Sequence, residues 1–388
     1  MINRRHFFKS SALAALPMAL PLLPNLAGAM PAANVPPMGK TVKFFGDGEM
    51  FEPGDYIQLL QEIHAANPIT KDRYGSGGAV EALEKKFATI TGKQKAVYMA
   101  SGTMANQLAI AALSGEKSKV FVQDTSHVFR DEADAAQSIF NKRLVPLAPG
   151  QAYFTAAQLQ EAIESLPEQE VFSTGIGAVS IENPVRRSQG QMMPIGEIEK
   201  VSSYCKSKGI KLHLDGARIY SASAWSGVPI AKYAAHFDTV YISLYKYLGA
   251  SAGAILCGDK ALIDGMQHLM KVHGGSMYGN WTNAAMALHR LDGVEQRMKE
   301  AKLRGEEVFV GLNKIDGIKV HLLKEGTNIY VLELSKNIDG KKLQASLNTK
   351  HNIRIGMPDK TNKVHLSVNE TLLYHPASNV INSFKQSI

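Results

Sequence analysis

Between Ala79 and Gly258 short apolar runs alternate with helical patterns. This alternation restricts the chain more than any other feature. KAVYMA (95–100), KVFVQ (119–123), IGAVSIE (176–182), KLHLD (211–215), DTVYISL (238–244) and AGAILCG (252–258) read as strands. AVEALEKKFATIT (79–91), TMANQLAIAALS (103–114) and PIGEIEKVSSYCKSKG (194–209) have helical spacing, and the first closes on Gly92, the last on Gly209. Strands that take turns with helices predict an α/β fold with a mostly parallel sheet. Past about residue 285 the pattern changes. A long charged helix over about 284–314 precedes the strands KVHLL, NIYVLEL and VHLSV, with a helix KKLQASLNT among them. This reads as a small α+β domain at 286–388, following a large domain at 41–285 that includes an N-terminal segment.

The chain of 388 residues is 45% hydrophobic and 20% charged, which is ordinary globular composition. It opens MINRRHFFKSSALAALPMALPLLPNLAGAM. A basic head, a proline-broken apolar stretch and the small residues Ala27-Gly28-Ala29 predict an export signal over 1–29, too short and interrupted to span a membrane. Arg4-Arg5 followed by Phe7-Phe8-Lys9 points to the twin-arginine machinery and a periplasmic destination. Residues 30–40 read as a linker. Arg4, Arg5 and Lys9 supply part of the formal charge of +8. No basic run carries interleaved aromatics, so the sequence lends no support to nucleic-acid binding. The two cysteines, Cys205 and Cys257, lie in core-like patterns and are expected as buried thiols, although one bridge between them is compatible with the sequence.

Three motifs follow strands. Lys246 is the one charged residue of VYISLYKYLGASAGAIL (240–256). Such a lysine either snorkels to water or is buried so that its neutral amine becomes a nucleophile. Tyr241, Ile242, Leu244, Tyr245 and Leu248 are its expected surroundings. Ser101-Gly102-Thr103 stands between a strand and a helix, where hydroxyls and free amides form an anion cradle; the same pattern is also an ordinary helix cap. Asp215-Gly216-Ala217-Arg218 ends the strand KLHL, and Asp215 there either faces a ligand or serves as a structural carboxylate. A phosphate cradle, an acid and a reactive lysine together are what pyridoxal 5'-phosphate requires: a phosphate site, a partner for its pyridine nitrogen and a Schiff-base lysine. No metal is called for.

On these residues the chain resembles the threonine aldolase and β-eliminating lyase family of pyridoxal-phosphate enzymes, which have the aspartate-aminotransferase fold. The resemblance runs from about Val42 to about Asn369. It is carried by YGSGGAVEALEKKFATITGKQKAVYMASGTMANQLAI (74–110), SHVFRDEADA (126–135), KLHLDGARIYSA (211–222) and SLYKYLGASAGAIL (243–256). It implies that Lys246 holds the cofactor, that Asp215 pairs with the pyridine nitrogen, and that His127 stacks on the ring and shuttles protons. It implies that Ser101, Gly102 and Thr103 take the phosphate, that Arg218 lies near the phenolate and substrate carboxylate, and that Tyr74 is the active-site tyrosine. It also implies a homodimer or homotetramer with sites at subunit interfaces.

Four departures bear on the reaction. The family's Glu-Asn-Thr-His is here Glu182-Asn183-Pro184-Val185, and Val185 takes no proton. Tyr278 replaces the arginine of Gly-Gly-Gly-Met-Arg, with His273 close by. The arginine that precedes His-Leu near the C-terminus is missing around Thr361–Leu366. Gly46-Asp47-Gly48 stands where the family has Arg-Ser-Asp-Thr, which loses a hydroxyl. Arg186, Arg187 and Arg354 are candidate replacements for the carboxylate anchor, Arg186 foremost. Tyr74, Tyr245 and Tyr278 are candidate hydroxyl acids or bases. The expected reaction is aldol cleavage of a β-hydroxy-α-amino acid to glycine and an aldehyde. The alternatives are β-elimination or other Cα chemistry such as transamination, and an exported cofactor-binding protein without turnover.

Overall fold

β1 (Val42–Lys43) opens the described part of the computed structural model, which covers residues 41–388. The expected export signal and linker lie outside the described residues.

The large sheet holds β2 (Lys95–Met99), β3 (Lys119–Gln123), β4 (Arg143–Leu147), β5 (Ile176–Glu182), β6 (Lys211–Asp215), β7 (Thr239–Ser243) and β8 (Ala254–Gly258). Their order is β2-β8-β7-β6-β5-β3-β4, and only β8 runs against its neighbours. Parallel neighbours need crossover segments that return the chain to the same end, and those crossovers cover the sheet's faces. Its inner strands are therefore buried on both sides: every residue of β3, β7 and β8 is buried. Helix Gly102–Ser114 packs against β5, β6, β7 and β8. It is small and apolar nearly all round, which suits a helix enclosed by the sheet and its neighbours.

Register then sets the chemistry. Glu182 of β5 pairs with Asp215 of β6, and Asp215 with Tyr241 of β7. Paired residues in a sheet project to the same face. Two carboxyls therefore stand side by side at the carboxyl ends of neighbouring strands, the end at which open α/β sheets bind ligands.

The expected helix over 284–314 is two helices, Trp281–Leu291 and Val294–Leu312. Gly293 breaks it with a left-handed backbone (φ 70°) that glycine adopts without strain. The second helix joins two cores. Val294 and Met298 pack with the large sheet, and Ala301, Val308, Phe309 and Leu312 with a separate C-terminal core. That core backs a sheet of β9 (Ile318–Leu322), β10 (Ile329–Leu334) and β12 (Lys363–Ser367), all antiparallel, in the order β12-β10-β9. β1 pairs in parallel with β11 (Ile353–Arg354). The N-terminal strand thus packs with the C-terminal core: Phe44 is fully buried there between Phe309 and Phe384, with ring centroids at 6.3 and 6.2 Å. Cys205 and Cys257 are free buried thiols, and burial pushes both up to about 12.

Removing the Phe44 ring leaves a cavity in this core, so Phe44→Ala is expected to cost about 3–5 kcal/mol. The midpoint of denaturant unfolding reads this; an unchanged midpoint contradicts the placement of the N-terminal strand.

Candidate active site

Lys246 lies in the turn after β7. It is 7% exposed, and its Nζ donates to Tyr245 Oη at 3.2 Å and sits 4.6 Å above that ring. Leu244, Tyr247 and Leu248 are buried around it, whereas Tyr245 is half exposed. The turn is shaped by Gly249, whose backbone is left-handed (φ 61°) and where a Cβ would come within 2.7 Å of the Phe51 ring. A chain segment from Gly46 to Phe51 therefore lies over the lysine turn.

Ser101 is the N-cap of helix Gly102–Ser114, and its Oγ accepts from the Met104 amide at 3.2 Å. Cap and cradle are compatible, because the remaining first-turn amides keep their free direction. Gly102 permits a close approach: a Cβ there would lie 2.0 Å from Tyr241 Oη. Tyr241 thus props the start of this helix from β7, one strand over from Asp215.

Asp215 is buried at the end of β6. Its Oδ1 accepts from the Ala217 amide at 3.1 Å and its Oδ2 from Asn106 Nδ2 at 2.9 Å. Asn106 also donates to Glu132 Oε1 at 2.8 Å, and Glu132 Oε1 meets His127 Nδ1 at 3.1 Å. On its other side Asn106 Oδ1 is 2.9 Å from His213 Nε2, while His213 Nδ1 is 2.8 Å from Thr239 Oγ1. The amide orientation follows from this chemistry, since its reverse would aim an oxygen at two carboxyls. Burial lowers the His213 pKa to about 4. The neutral ring therefore donates from Nε2 to Asn106 and accepts from the Thr239 hydroxyl. Glu182 closes the cluster by accepting the backbone amides of His127 (2.7 Å) and Arg186 (2.9 Å). Burial first, then the neighbouring Asp215, raise its pKa. The His127 pKa is raised, chiefly by its hydrogen bond to Glu132. One donor atom each from His127, Glu132 and Asp215 lies within 4.8 Å of the others.

The sequence singled out His127 and Asp215 but not Asn106, Glu132, Glu182 or His213. Three of the four stand out as polar residues in apolar patterns, although their partners do not. Asn106 interrupts the apolar helix pattern TMANQLAI, and His213 lies two residues before Asp215, on the same strand face. Glu182 is an acid at the end of an otherwise apolar, buried strand, whereas Glu132 stands among exposed and half-buried residues and carries no such signal.

The side chains of the other expected site residues make their polar and ring contacts outside this cluster. Arg218 makes a two-pronged pair with Asp47, at 2.7 and 3.0 Å, with both side chains largely buried. Burial pulls the Arg218 pKa down, but Asp47 outweighs it, so the net direction is up. The Asp47 contact was not foreseen. Arg187 Nε donates to Asp131 Oδ2 at 2.9 Å, and Arg186 Nη1 is 3.6 Å from the same oxygen; both arginines are about half exposed. Arg354 is exposed on β11. Val185 is fully buried. Tyr74 and Tyr278 stack edge to face at 5.3 Å, with Lys271 Nζ 5.1 Å over the Tyr74 ring. Among the described residues, no hydrogen bond or ring contact joins these tyrosines to Lys246, Asp215 or His127. His273 packs edge-on to Phe140.

Residues 59–335 match the model of a protein family described as β-eliminating lyase. The chain belongs to that family. A low-specificity L-threonine aldolase from Candida albicans is 30% identical over 276 residues, 70% of this chain and 72% of its own. An alanine racemase from Cochliobolus carbonum is 31% identical over 197 residues, 50% of this chain and 49% of its own. A solved structure from Listeria monocytogenes EGD-E, provisionally assigned as an L-allo-threonine aldolase, superposes with a TM-score of 0.75 at 25% identity. It covers 90% of this chain and 96% of that one. The α/β fold with a mostly parallel sheet is the fold of these pyridoxal-phosphate enzymes, and the family's cofactor is pyridoxal 5'-phosphate.

The residues present fit that cofactor. Asp215, Glu132 and Glu182 crowd three buried carboxyls around one imidazole, and Glu132 Oε2 is buried with no partner. Buried acid in excess favours a cationic group, and a protonated pyridine nitrogen is one. The N-terminus of helix Gly102–Ser114, with its free first-turn amides, suits a phosphate. Lys246 would form the covalent link, Asp215 would hold the ring nitrogen, and Ser101, Gly102 and Thr103 would hold the phosphate.

The depressed His213 pKa makes a pH prediction. A histidine that stays neutral in the fold contributes its full stability above the unfolded value near 6.5. That contribution falls as pH drops from about 6.5 to about 4. The unfolding midpoint of wild type should fall over this window with a steeper slope than that of His213→Gln; parallel slopes contradict a buried neutral ring.

Proposed function

We propose that this protein is a pyridoxal-phosphate-dependent carbon–carbon lyase that cleaves a β-hydroxy-α-amino acid to glycine and an aldehyde. The observation that carries the reading is that Lys246, Asp215 and His127 follow or end β7, β6 and β3 of one sheet, at its carboxyl end, in a chain of this family. The relatives named low-specificity L-threonine aldolase support threonine-like substrates.

When bound, the cofactor supplies an electrophilic carbon for an amine and a ring that accepts electrons from Cα. The chain supplies the rest. Lys246 Nζ would hold the cofactor covalently, its neutral amine being the nucleophile. Asp215 would hold the ring nitrogen in its protonated form, and an oriented carboxylate beside a cation is strongest where water is excluded. His127 offers an imidazole nitrogen to the substrate hydroxyl, the role that Val185 leaves open. The raised His127 pKa brings its proton exchange toward neutral pH, where a general base works best. Arg186, whose backbone hangs from the same carboxyl as that of His127, is the proposed carboxylate anchor, with Arg218, on which Glu182 also bears, the second candidate.

A second reading is favoured by Val185 and by the racemase relative: a different bond at Cα is broken, as in β-elimination. We also propose a homodimer or homotetramer. Helix Pro53–Ala66 has no buried residue, and with helix Trp281–Leu291 it borders a groove of about 810 Å³ that includes Leu59, Ile63, Ala285 and Leu288. Tyr74, Tyr278 and Trp281 are exposed as well. Finally, Arg4-Arg5 and the segment after them support export through the twin-arginine machinery to the periplasm. No helix among the described residues is long and apolar enough to cross a membrane.

Cofactor-loaded protein incubated with L-threonine, L-allo-threonine, phenylserine and serine is expected to release glycine with an equal amount of aldehyde. Ammonia and keto acid without glycine would establish the second reading instead. In the same assay Lys246→Ala should abolish turnover, and His127→Asn should lower kcat by about 10²–10⁴-fold, the range for a lost general base. A Lys246→Ala chain as active as wild type contradicts the covalent mechanism.

A further inference from the structure

The bridge from Asp215 to His127 runs through two residues that the reaction scheme above does not use. Glu132 is buried, and only its Oε1 is engaged: it accepts from Asn106 Nδ2 at 2.8 Å and meets His127 Nδ1 at 3.1 Å. Asn106 is itself fully buried and spends both protons of its amide on carboxyls, one on Glu132 and one on Asp215. It keeps that direction because the neutral His213 donates to its oxygen. An acceptor at Nδ1 leaves one arrangement for a neutral His127: the proton sits on Nδ1 and the lone pair on Nε2. The backbone of His127 is held separately, by Glu182.

We propose that Glu132 is the positioning residue for His127, and that Asn106 spaces it from Asp215. Glu132 fixes the tautomer that exposes Nε2 as a base, which supplies the proton acceptor absent at Val185. The arrangement resembles the carboxylate-to-imidazole hydrogen bond of hydrolase triads in its logic: the acid orients the ring and favours its charged form. Here the acid is locked in place by an amide that also bonds the carboxylate assigned to the ring nitrogen. A proton gained at Nε2 during turnover is then balanced by Glu132 and not by Asp215, which leaves Asp215 to the cofactor. The groups that bear on His127 are Glu132, Glu182, Asp215 and Asp131, all acids, so each favours its charged form. Glu132 differs from the others in touching the ring.

The inference rests on the proposed lyase reading only for the use made of Nε2. The hydrogen bonding is testable without turnover, so failure of one is distinguishable from failure of the other. The experiment is nitrogen NMR of histidine-labelled full chain, free of cofactor and then loaded, in wild type, Glu132→Gln and Glu132→Leu. In wild type the neutral His127 ring should carry its proton on Nδ1. Glu132→Gln keeps an oxygen for Nδ1 and for Asn106 but removes the charge. Its His127 should keep the tautomer and titrate at lower pH, and the acid limb of the loaded enzyme's kcat–pH profile should move the same way. Glu132→Leu should lose the tautomer preference as well. A His127 that keeps both tautomer and titration midpoint in Glu132→Gln overturns the proposal, and this isosteric variant decides it even where Glu132→Leu does not fold.

Discussion

The in-register pairing of β5, β6 and β7 is the constraint on which the rest of this structure depends. It brings Glu182, Asp215 and the turn bearing Lys246 to one end of the sheet. Two carboxyls at the same height on neighbouring strands repel, and burial deepens the cost because there is little water to screen them. The fold meets that cost locally. Glu182 takes two backbone amides, Asp215 takes an amide and the Asn106 side chain, and Glu182 is pushed toward protonation. What remains is a pocket of unspent negative charge that a cationic ring nitrogen would neutralise.

The second constraint is closeness. Gly102 allows Tyr241 against the start of helix Gly102–Ser114, and Gly249 allows Phe51 against the lysine turn. The same covering segment carries Asp47, which occupies the fork of Arg218. The segment is anchored at its start by β1 in the C-terminal core and at Glu49 by Glu370, which also pairs with Arg290 and Arg297. The two cores therefore meet over the site, and the position of Arg218 depends on residues far away in sequence.

Much of the fold was legible because buried parallel strands must be apolar throughout, and the runs KVFVQ and IGAVSIE are. The break at Gly293 was not, because a lone glycine in a helical pattern is tolerated as often as it ends one. At the site, the end-of-strand positions of Asp215 and Lys246 were readable from the runs that precede them. The hydrogen-bond partners were not. Asn106 lies in a helix, His213 on β6 and Glu132 in the turn between two short helices, and the packing of helix Gly102–Ser114 across β6 brings them together. The Asp47–Arg218 pair spans 171 residues and has no local pattern at all. Spacing in sequence reports the elements; long-range pairing of polar groups is decided by how those elements pack.

The central claim is that Lys246, buried in the turn after β7 at the carboxyl end of the sheet, is the residue that takes the cofactor. Its most direct test is to load the full chain with pyridoxal phosphate, fix the lysine–cofactor bond with borohydride, digest the protein and locate the added mass by spectrometry. The account predicts one modified peptide, carrying the label on Lys246, and loss of that label in Lys246→Ala. Label spread over exposed lysines, or the same single label on another residue, would contradict it.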